Sequence, residues 1–116
     1  MEYRYRNINF ELTNACTFSC SFCPDSRMTR KKEVLDIGLA KKTVDEIAEM
    51  KLAPLINYYV MGEPLLYPQL FEIIEYTKAQ NIQVKLNTNG TLLNPKINSR
   101  LLQLETDIVN VSFYSL

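Results

Sequence analysis

The alternation of strand and helix patterns along the chain constrains its fold more than any other feature of the sequence. Four short strand patterns, over 7–13, 55–60, 82–86 and 108–114, are separated by three segments with a helical spacing of apolar residues. Strands joined by helical crossovers pair in parallel with right-handed connections. The sequence therefore predicts an α/β fold in the order β-α-β-α-β-α-β, built on a parallel sheet.

Helix start and stop signals lie where these patterns change. Asp36 and Asn94 are predicted N-caps, since a short polar side chain can accept a hydrogen bond from a free backbone N–H group of the first turn. Pro68 and Pro95 suit the first turn of a helix, where the missing N–H group costs nothing. Asn81 tolerates a left-handed φ and is predicted to close the second helix.

Each strand pattern has one apolar and one polar face. Helices must cover the apolar face, so the polar face is predicted to line the interior of a barrel, unlike the aliphatic layers of an ordinary α/β barrel. Glu11 and Lys85 are the only charged residues of that polar face, and we expect them to lie near each other because a lone buried charge is costly. The apolar face comprises Ile8, Phe10, Leu12, Ile56, Tyr58, Val60, Ile82, Val84, Leu86, Val109, Val111 and Phe113.

The length and charge of the chain narrow its class. Its 116 residues allow one domain but fall well short of the about 250 typical of a complete α/β barrel. Thirteen acidic and 13 basic residues leave no net charge to attract nucleic acid or an anionic membrane. The N-terminus lacks the apolar segment of a secretory signal, and no apolar run reaches the about 18 residues of a membrane span. We therefore expect a cytoplasmic protein without a nucleic-acid or membrane partner.

All three cysteines of the chain, Cys16, Cys20 and Cys23, lie on one short loop after the first strand pattern. Thiolate is the soft ligand that iron–sulfur clusters and zinc select, and three thiolates so close together can converge on one metal centre. The chain contains no histidine to complete a four-coordinate zinc site, so a 4Fe–4S cluster with one iron left free fits better. An odd number of cysteines also argues against a disulfide framework and for a reducing compartment.

Around these cysteines the sequence resembles the radical S-adenosylmethionine (radical SAM) superfamily. The family signature is this cysteine spacing with an aromatic residue before the third cysteine, here Phe22. Gly62-Glu63-Pro64 matches the family's Gly-Glu-Pro motif, Thr88-Asn89-Gly90 matches its Thr-Asn-Gly turn, and Val111-Ser112 resembles the end of its fourth strand. The resemblance covers the whole chain and is greatest to SPASM-type members.

The resemblance implies a chemistry and a set of residue roles. In the family, three cysteines hold a 4Fe–4S cluster whose free iron chelates S-adenosylmethionine (SAM), and the reduced cluster cleaves SAM to methionine and a 5'-deoxyadenosyl radical. The implied metal ligands are Cys16, Cys20 and Cys23. The implied SAM contacts are Phe22, Gly62, Glu63, Pro64, Asn89 and Ser112. A flavodoxin or ferredoxin is the implied reductant, and a peptide or natural product is the implied substrate.

The resemblance also implies a (β/α)6 partial barrel, of which this chain would supply the first four strands and three helices. Residues 1–116 are accordingly interpreted as the N-terminal portion of a radical SAM core domain. The fourth strand would then be a sheet edge, which invites self-association. We expect such a truncated chain to bind SAM weakly and not to turn over alone, because its polar face is open to water.

Other interpretations stay open at the level of sequence. The chain could be a non-catalytic iron–sulfur binding or electron-transfer module, or a structural fragment that binds zinc. Gly62-Glu63-Pro64 and Thr88-Asn89-Gly90 could be ordinary turns, Phe22 could pack the cysteine loop, and Ser112 could cap an edge strand.

Overall fold

Four parallel strands and three α-helices make up the fold, in a computed structural model that describes residues 3–13, 34–59, 63–90 and 92–112. The strands form one sheet in the order β1-β2-β3-β4, with every neighbouring pair parallel. In chain order the elements are β1 (Ile8–Asn9), α1 (Ile37–Glu49), β2 (Leu55–Tyr58), a short 3-10 helix (Pro64–Leu66), α2 (Leu70–Ala79), β3 (Gln83–Thr88), α3 (Pro95–Gln103) and β4 (Ile108–Val111). The predicted α/β class, a parallel partial barrel, is confirmed.

The core lies between the apolar face of the sheet and helices α1 and α2. Ile56 and Tyr58 of β2, and Val84 and Leu86 of β3, are fully buried in one cluster with apolar side chains of both helices. The helices contribute Ala40, Val44, Ile47, Leu70, Ile73 and Ile74. Burying each large aliphatic side chain contributes about 1.5–3 kcal/mol, so this face of the sheet determines where the helices pack.

Tyr58 belongs to this packed layer. Its hydroxyl lies 2.5 Å from Thr77 Oγ1, which itself donates to the carbonyl oxygen of Ile73 at 2.6 Å. Tyr58 therefore donates to Thr77, and the buried hydroxyl has its partner. Burial raises the pKa of Tyr58, which keeps the phenol protonated at neutral pH.

The alternation of the strand faces is confirmed for β2 and β3. Along β3, Val84, Leu86 and Thr88 are buried, whereas Gln83 is exposed and Lys85 is half-buried. The even-numbered side chains thus face the helices, and the odd-numbered polar ones face the other side of the sheet, as the period of two requires.

The pairing expected between Glu11 and Lys85 is not seen. Register places Lys85 opposite Asn57, and Asn57 in turn lies opposite Asn9 and donates to its Oδ1 at 3.1 Å. Lys85 is therefore separated from the first strand by all of β2, and it forms no ion pair within the described ranges. Lys85 as a whole is half-buried, and the ammonium at the end of its long stem can stay hydrated, which removes the need for a partner.

Strand β4 is an edge of the sheet, as predicted, but helices do not cover its apolar face. Val109 and Val111 remain 38% and 37% exposed. Asp107 fixes the start of the strand, because its Oδ2 accepts from the backbone N–H of Val84 at 2.7 Å and from Lys78 Nζ at 2.8 Å. Asp107 thus links the start of β4 to β3 and α2, whereas the apolar side chains of the strand remain exposed to solvent.

Two of the three helices begin as predicted. Asp36 accepts from the N–H of Leu39 at 3.1 Å, and Asn94 accepts from the N–H of Ile97 at 2.9 Å ahead of Pro95, the first residue of α3. Helix α2 begins at Leu70, so Pro68 lies before the helix rather than in its first turn. No helix in the described part of the chain is long and apolar enough to cross a membrane.

Each helix is followed by a non-glycine residue with a left-handed backbone. Asn81 has φ 63°, which confirms its predicted role, and Lys51 and Glu105 have φ 51° and 57°. Lys and Glu have no preference for this conformation, so nothing in the sequence marked these two positions. Both therefore carry conformational strain that a glycine would relieve.

Replacing Glu105 by Gly should raise the free energy of unfolding by about 1 kcal/mol, because the left-handed conformation costs other residues about 1–2 kcal/mol and the greater unfolded-state entropy of glycine offsets part of that gain. Urea denaturation measures the change. The matched control is Lys42→Gly, an exposed position inside α1. There glycine should lower stability by about 1 kcal/mol. A loss of stability in both variants would contradict the strain at Glu105.

Candidate functional site

The carboxyl ends of the four strands lie at one edge of the sheet because all the strands are parallel. In open α/β sheets, ligands bind outside this edge. The described residues at or just beyond the carboxyl ends of the strands are 10–13, 63–67, 88–90 and Ser112. Three of the four sequence motifs identified above therefore have described residues at this edge.

The residues on either side of the cysteine segment lie next to each other just beyond β1. Thr13 and Val34 form an antiparallel bridge, and the N–H of Leu35 donates to the carbonyl oxygen of Leu12 at 2.9 Å. The residues that flank 14–33 are therefore paired with each other just beyond the carboxyl end of the first strand. Cys16, Cys20, Cys23 and Phe22 lie outside the described residues, so their predicted roles stay predictions.

Tyr67 connects the base of this segment to the turn after β2. Its hydroxyl donates to the carbonyl oxygen of Leu35 at 2.8 Å, and the residue is only 2% exposed. Burial, with the nearby charges of Asp36 and Glu72, raises the pKa of Tyr67, so the hydroxyl stays a donor. Sequence reasoning missed this residue, because a tyrosine after a proline-containing turn does not reveal which distant carbonyl it reaches.

The carboxylate of Glu63 is the centre of the hydrogen bonding at this edge. It is 2% exposed and accepts from three donors of the protein itself. The N–H of Leu65 donates to Oε2 at 3.0 Å, the N–H of Asn89 donates to Oε1 at 2.7 Å, and Thr88 Oγ1 lies 2.8 Å from both oxygens. Glu63 thereby caps the 3-10 helix that begins at Pro64 and also binds the turn after β3.

The turn after β3 continues the network to β4. The N–H of Gly90 donates to Thr88 Oγ1 at 3.1 Å, and the N–H of Ser112 donates to the carbonyl oxygen of Thr88 at 2.8 Å. Gly90 has φ 83°, a conformation that favours glycine. Hydrogen bonds therefore run between the turn after β2, the turn after β3 and the end of β4.

The structure thus brings together Glu63, Pro64, Asn89 and Ser112, four of the predicted cofactor contacts, at one edge. Gly62, a fifth, lies outside the described residues. Glu63 forms no ion pair with another described residue. The same described part of the chain holds no group of three or more residues able to bind a metal ion.

Replacing Gly90 by Ala should lower the free energy of unfolding by about 1–2 kcal/mol, since Ala is strained at positive φ. A Cβ atom there would also lie 2.9 Å from Val111 Cγ1. In a Val111→Ala background this contact is gone, so the penalty should be smaller. Urea denaturation of the two single variants and the double variant measures the difference. Equal penalties in both backgrounds would show that the close approach to β4 has no cost.

Comparison with protein families gives the class of the molecule. A sequence model of the radical SAM superfamily matches residues 10–116, nearly the whole chain. The chain therefore belongs to the radical SAM superfamily, and the resemblance stated from its motifs is confirmed. Members of this family use a 4Fe–4S cluster and SAM.

Individual relatives cover the chain but extend well beyond it. The mycofactocin maturase MftC of Mycobacterium tuberculosis (strain H37Rv) is 33% identical over 107 residues, which are 90% of this chain and 26% of that protein. The AdoMet-dependent heme synthase of Methanosarcina barkeri is 36% identical over 108 residues, which are 92% of this chain and 30% of that protein. The chain thus spans less than a third of the length of these relatives.

A solved structure shares the fold. The crystal structure of BtrN in complex with AdoMet and 2-DOIA superposes with a TM-score of 0.86 at 23% identity, covering 100% of this chain and 49% of BtrN. At this identity the likeness establishes the fold alone.

Proposed function

We propose that this chain binds a 4Fe–4S cluster and SAM at the carboxyl edge of its sheet, as part of a radical SAM enzyme. The observation that carries the proposal is the anchoring of the cysteine segment at this edge, by the Thr13–Val34 bridge, in a chain that belongs to the radical SAM superfamily. When bound, the reduced cluster supplies the electron that splits SAM into methionine and a 5'-deoxyadenosyl radical.

The donor set fits the cluster. Cys16, Cys20 and Cys23 would hold three irons through thiolates, the ligands that iron–sulfur clusters select. The residues that flank this segment are bonded to each other, Leu35 to Leu12, and Leu35 is also bonded to Tyr67 in the connection after β2. Such anchoring reduces the conformational entropy that the loop loses when its cysteines converge on a metal centre.

The remaining predicted contacts have chemically suitable groups for SAM. Phe22 offers an aromatic surface to the adenine, and Gly62 allows the backbone to approach the ligand closely. Asn89 is half-buried and carries an amide that can both donate and accept, and Ser112 offers a hydroxyl that a ribose can bind. Pro64 is buried and fixes the path of the chain beside Glu63.

The substrate and the reductant follow from the family rather than from the described residues. We propose a peptide or natural product as substrate and a flavodoxin or ferredoxin as electron donor. The relatives differ in what they act on, since their names include a mycofactocin maturase, a heme synthase and a nucleotide dehydratase. The polar sheet face, with Asn57, Lys85 and Asn87, is the surface that we propose faces the substrate.

Replacing any one of the three cysteines by Ala should abolish the brown chromophore after anaerobic reconstitution, because a cluster held by three protein ligands has no spare one. Iron and sulfide content and the visible absorption spectrum measure the loss. Ser112→Ala, at the same edge but without a metal ligand, is the control and should keep its iron. Full iron incorporation in Cys20→Ala would contradict the proposed ligand set, and stoichiometric zinc in the unsubstituted protein would favour the structural zinc site.

A further inference from the structure

We infer that Glu63 is a positioning residue, whose carboxylate holds the turn after β3 in place rather than accepting a hydrogen bond from the cofactor itself. The inference deepens the proposed function and rests on it for the identity of the ligand. It differs from the direct contact with SAM that the family resemblance implies for Glu63.

The carboxylate has almost no acceptor capacity left for a ligand. An ionised carboxylate offers about four lone-pair positions. Three donor hydrogens already point at it, from the N–H groups of Leu65 and Asn89 and from the Thr88 hydroxyl, which lies 2.8 Å from both oxygens. Only 2% of the residue is exposed. A ligand ammonium could reach the one remaining position only if the surrounding groups moved, and it would compete there with donors that are already in place.

Glu63 instead acts through the residues that it holds. Thr88 is 1% exposed and is bonded by its side chain to Glu63 and by its carbonyl oxygen to Ser112. Asn89 is bonded to Glu63 through its backbone and remains half-buried at the edge. The two predicted cofactor contacts Asn89 and Ser112 are therefore both located by the Glu63–Thr88 link.

The charge of Glu63 adds a second effect without contact. Within the described ranges no lysine or arginine neutralises it, and its three partners are uncharged donors. A buried charge is poorly screened by salt, so its field reaches the ligand at the edge. This field favours a ligand that presents a cationic group, as the ammonium and sulfonium of SAM do.

The first test separates the link from direct contact by means of Thr88→Val, which removes the hydroxyl donor and keeps the Glu63 carboxylate. If Glu63 acts through Thr88, the Kd for SAM of the reconstituted protein, measured by equilibrium dialysis, should rise about tenfold. Thr88→Ser, which restores the hydroxyl, should return the Kd to within about twofold of the unsubstituted protein. An unchanged Kd in Thr88→Val, with binding lost in Glu63→Gln, would overturn the inference in favour of direct contact.

A matched control excludes a general loss of stability. Thr77 is also fully buried and hydrogen-bonded through its hydroxyl, to Tyr58 and Ile73, but it lies in the helix layer rather than at the edge. Thr77→Val should lower thermal stability as Thr88→Val does and leave the Kd for SAM unchanged. An equal rise in Kd for both variants would show that Thr88→Val acts through a general loss of stability, and this would overturn the inference.

The second test needs no cofactor, so it distinguishes failure of the inference from failure of the proposed function. In Glu63→Ala without SAM, the Leu65 and Asn89 amides should exchange hydrogen at least tenfold faster by NMR. The Val84 amide, bonded to Asp107 instead, should be unaffected. If the Asn89 amide exchanges equally slowly in Glu63→Ala, Glu63 does not hold the turn and the inference is overturned. If the amides exchange faster as expected but the unsubstituted protein does not bind SAM, only the proposed function is refuted. If Glu63→Ala does not fold, Thr88→Val tests the same network at the Gly90 amide, which donates to Thr88 Oγ1 and should then exchange faster.

Discussion

Parallel pairing of the four strands is the constraint on which the rest of the structure depends. It places the carboxyl end of every strand at the same edge. The segments that follow the strands are therefore brought together by the sheet itself, although they are far apart in the sequence. The pairing itself depends on the apolar layer below the sheet, where Ile56, Val84 and Leu86 are fully buried against the helices. The site at the edge is therefore a consequence of packing on one face of the sheet.

Hydrogen bonding then converts this common edge into one connected arrangement. Tyr67 joins the base of the cysteine segment to the turn after β2, Glu63 joins that turn to the turn after β3, and Thr88 joins the latter to Ser112. Each of these bonds uses a buried or half-buried group, so breaking one leaves a polar atom without a partner. The Gly-Glu-Pro and Thr-Asn-Gly motifs and the end of β4, which are separate in the sequence, are therefore joined by hydrogen bonds in the structure.

Local signals account for what the sequence could predict. Asp36, Asn94 and Asn81 act on backbone groups within a few residues of themselves, so their roles as helix caps and terminator follow from the chain alone. The period of two in β3 predicted its buried face for the same reason. By contrast, the left-handed φ of Glu105 is imposed by the path from α3 to β4, and no preference of glutamate predicts it.

Contacts between residues distant in the chain account for what the sequence could not predict. The donors of Glu63 come from Leu65, two residues away, and from the turn after β3, 25 and 26 residues away. The family motif pointed to Glu63 but implied a partner outside the protein. Lys85 was expected to pair with Glu11, yet register places Asn57 beside it instead. In both cases the partner depended on tertiary structure, which the sequence alone does not show.

The central claim, that this edge holds a cluster with a free iron to which SAM binds, is tested most directly by electron paramagnetic resonance. The protein is reconstituted anaerobically with iron and sulfide, reduced, and its spectrum recorded before and after SAM is added. The proposed function predicts a reduced 4Fe–4S signal whose g-values change on addition of SAM, because the ligand binds the cluster itself. A 4Fe–4S signal that SAM leaves unchanged would contradict the proposed function and indicate an electron-transfer module.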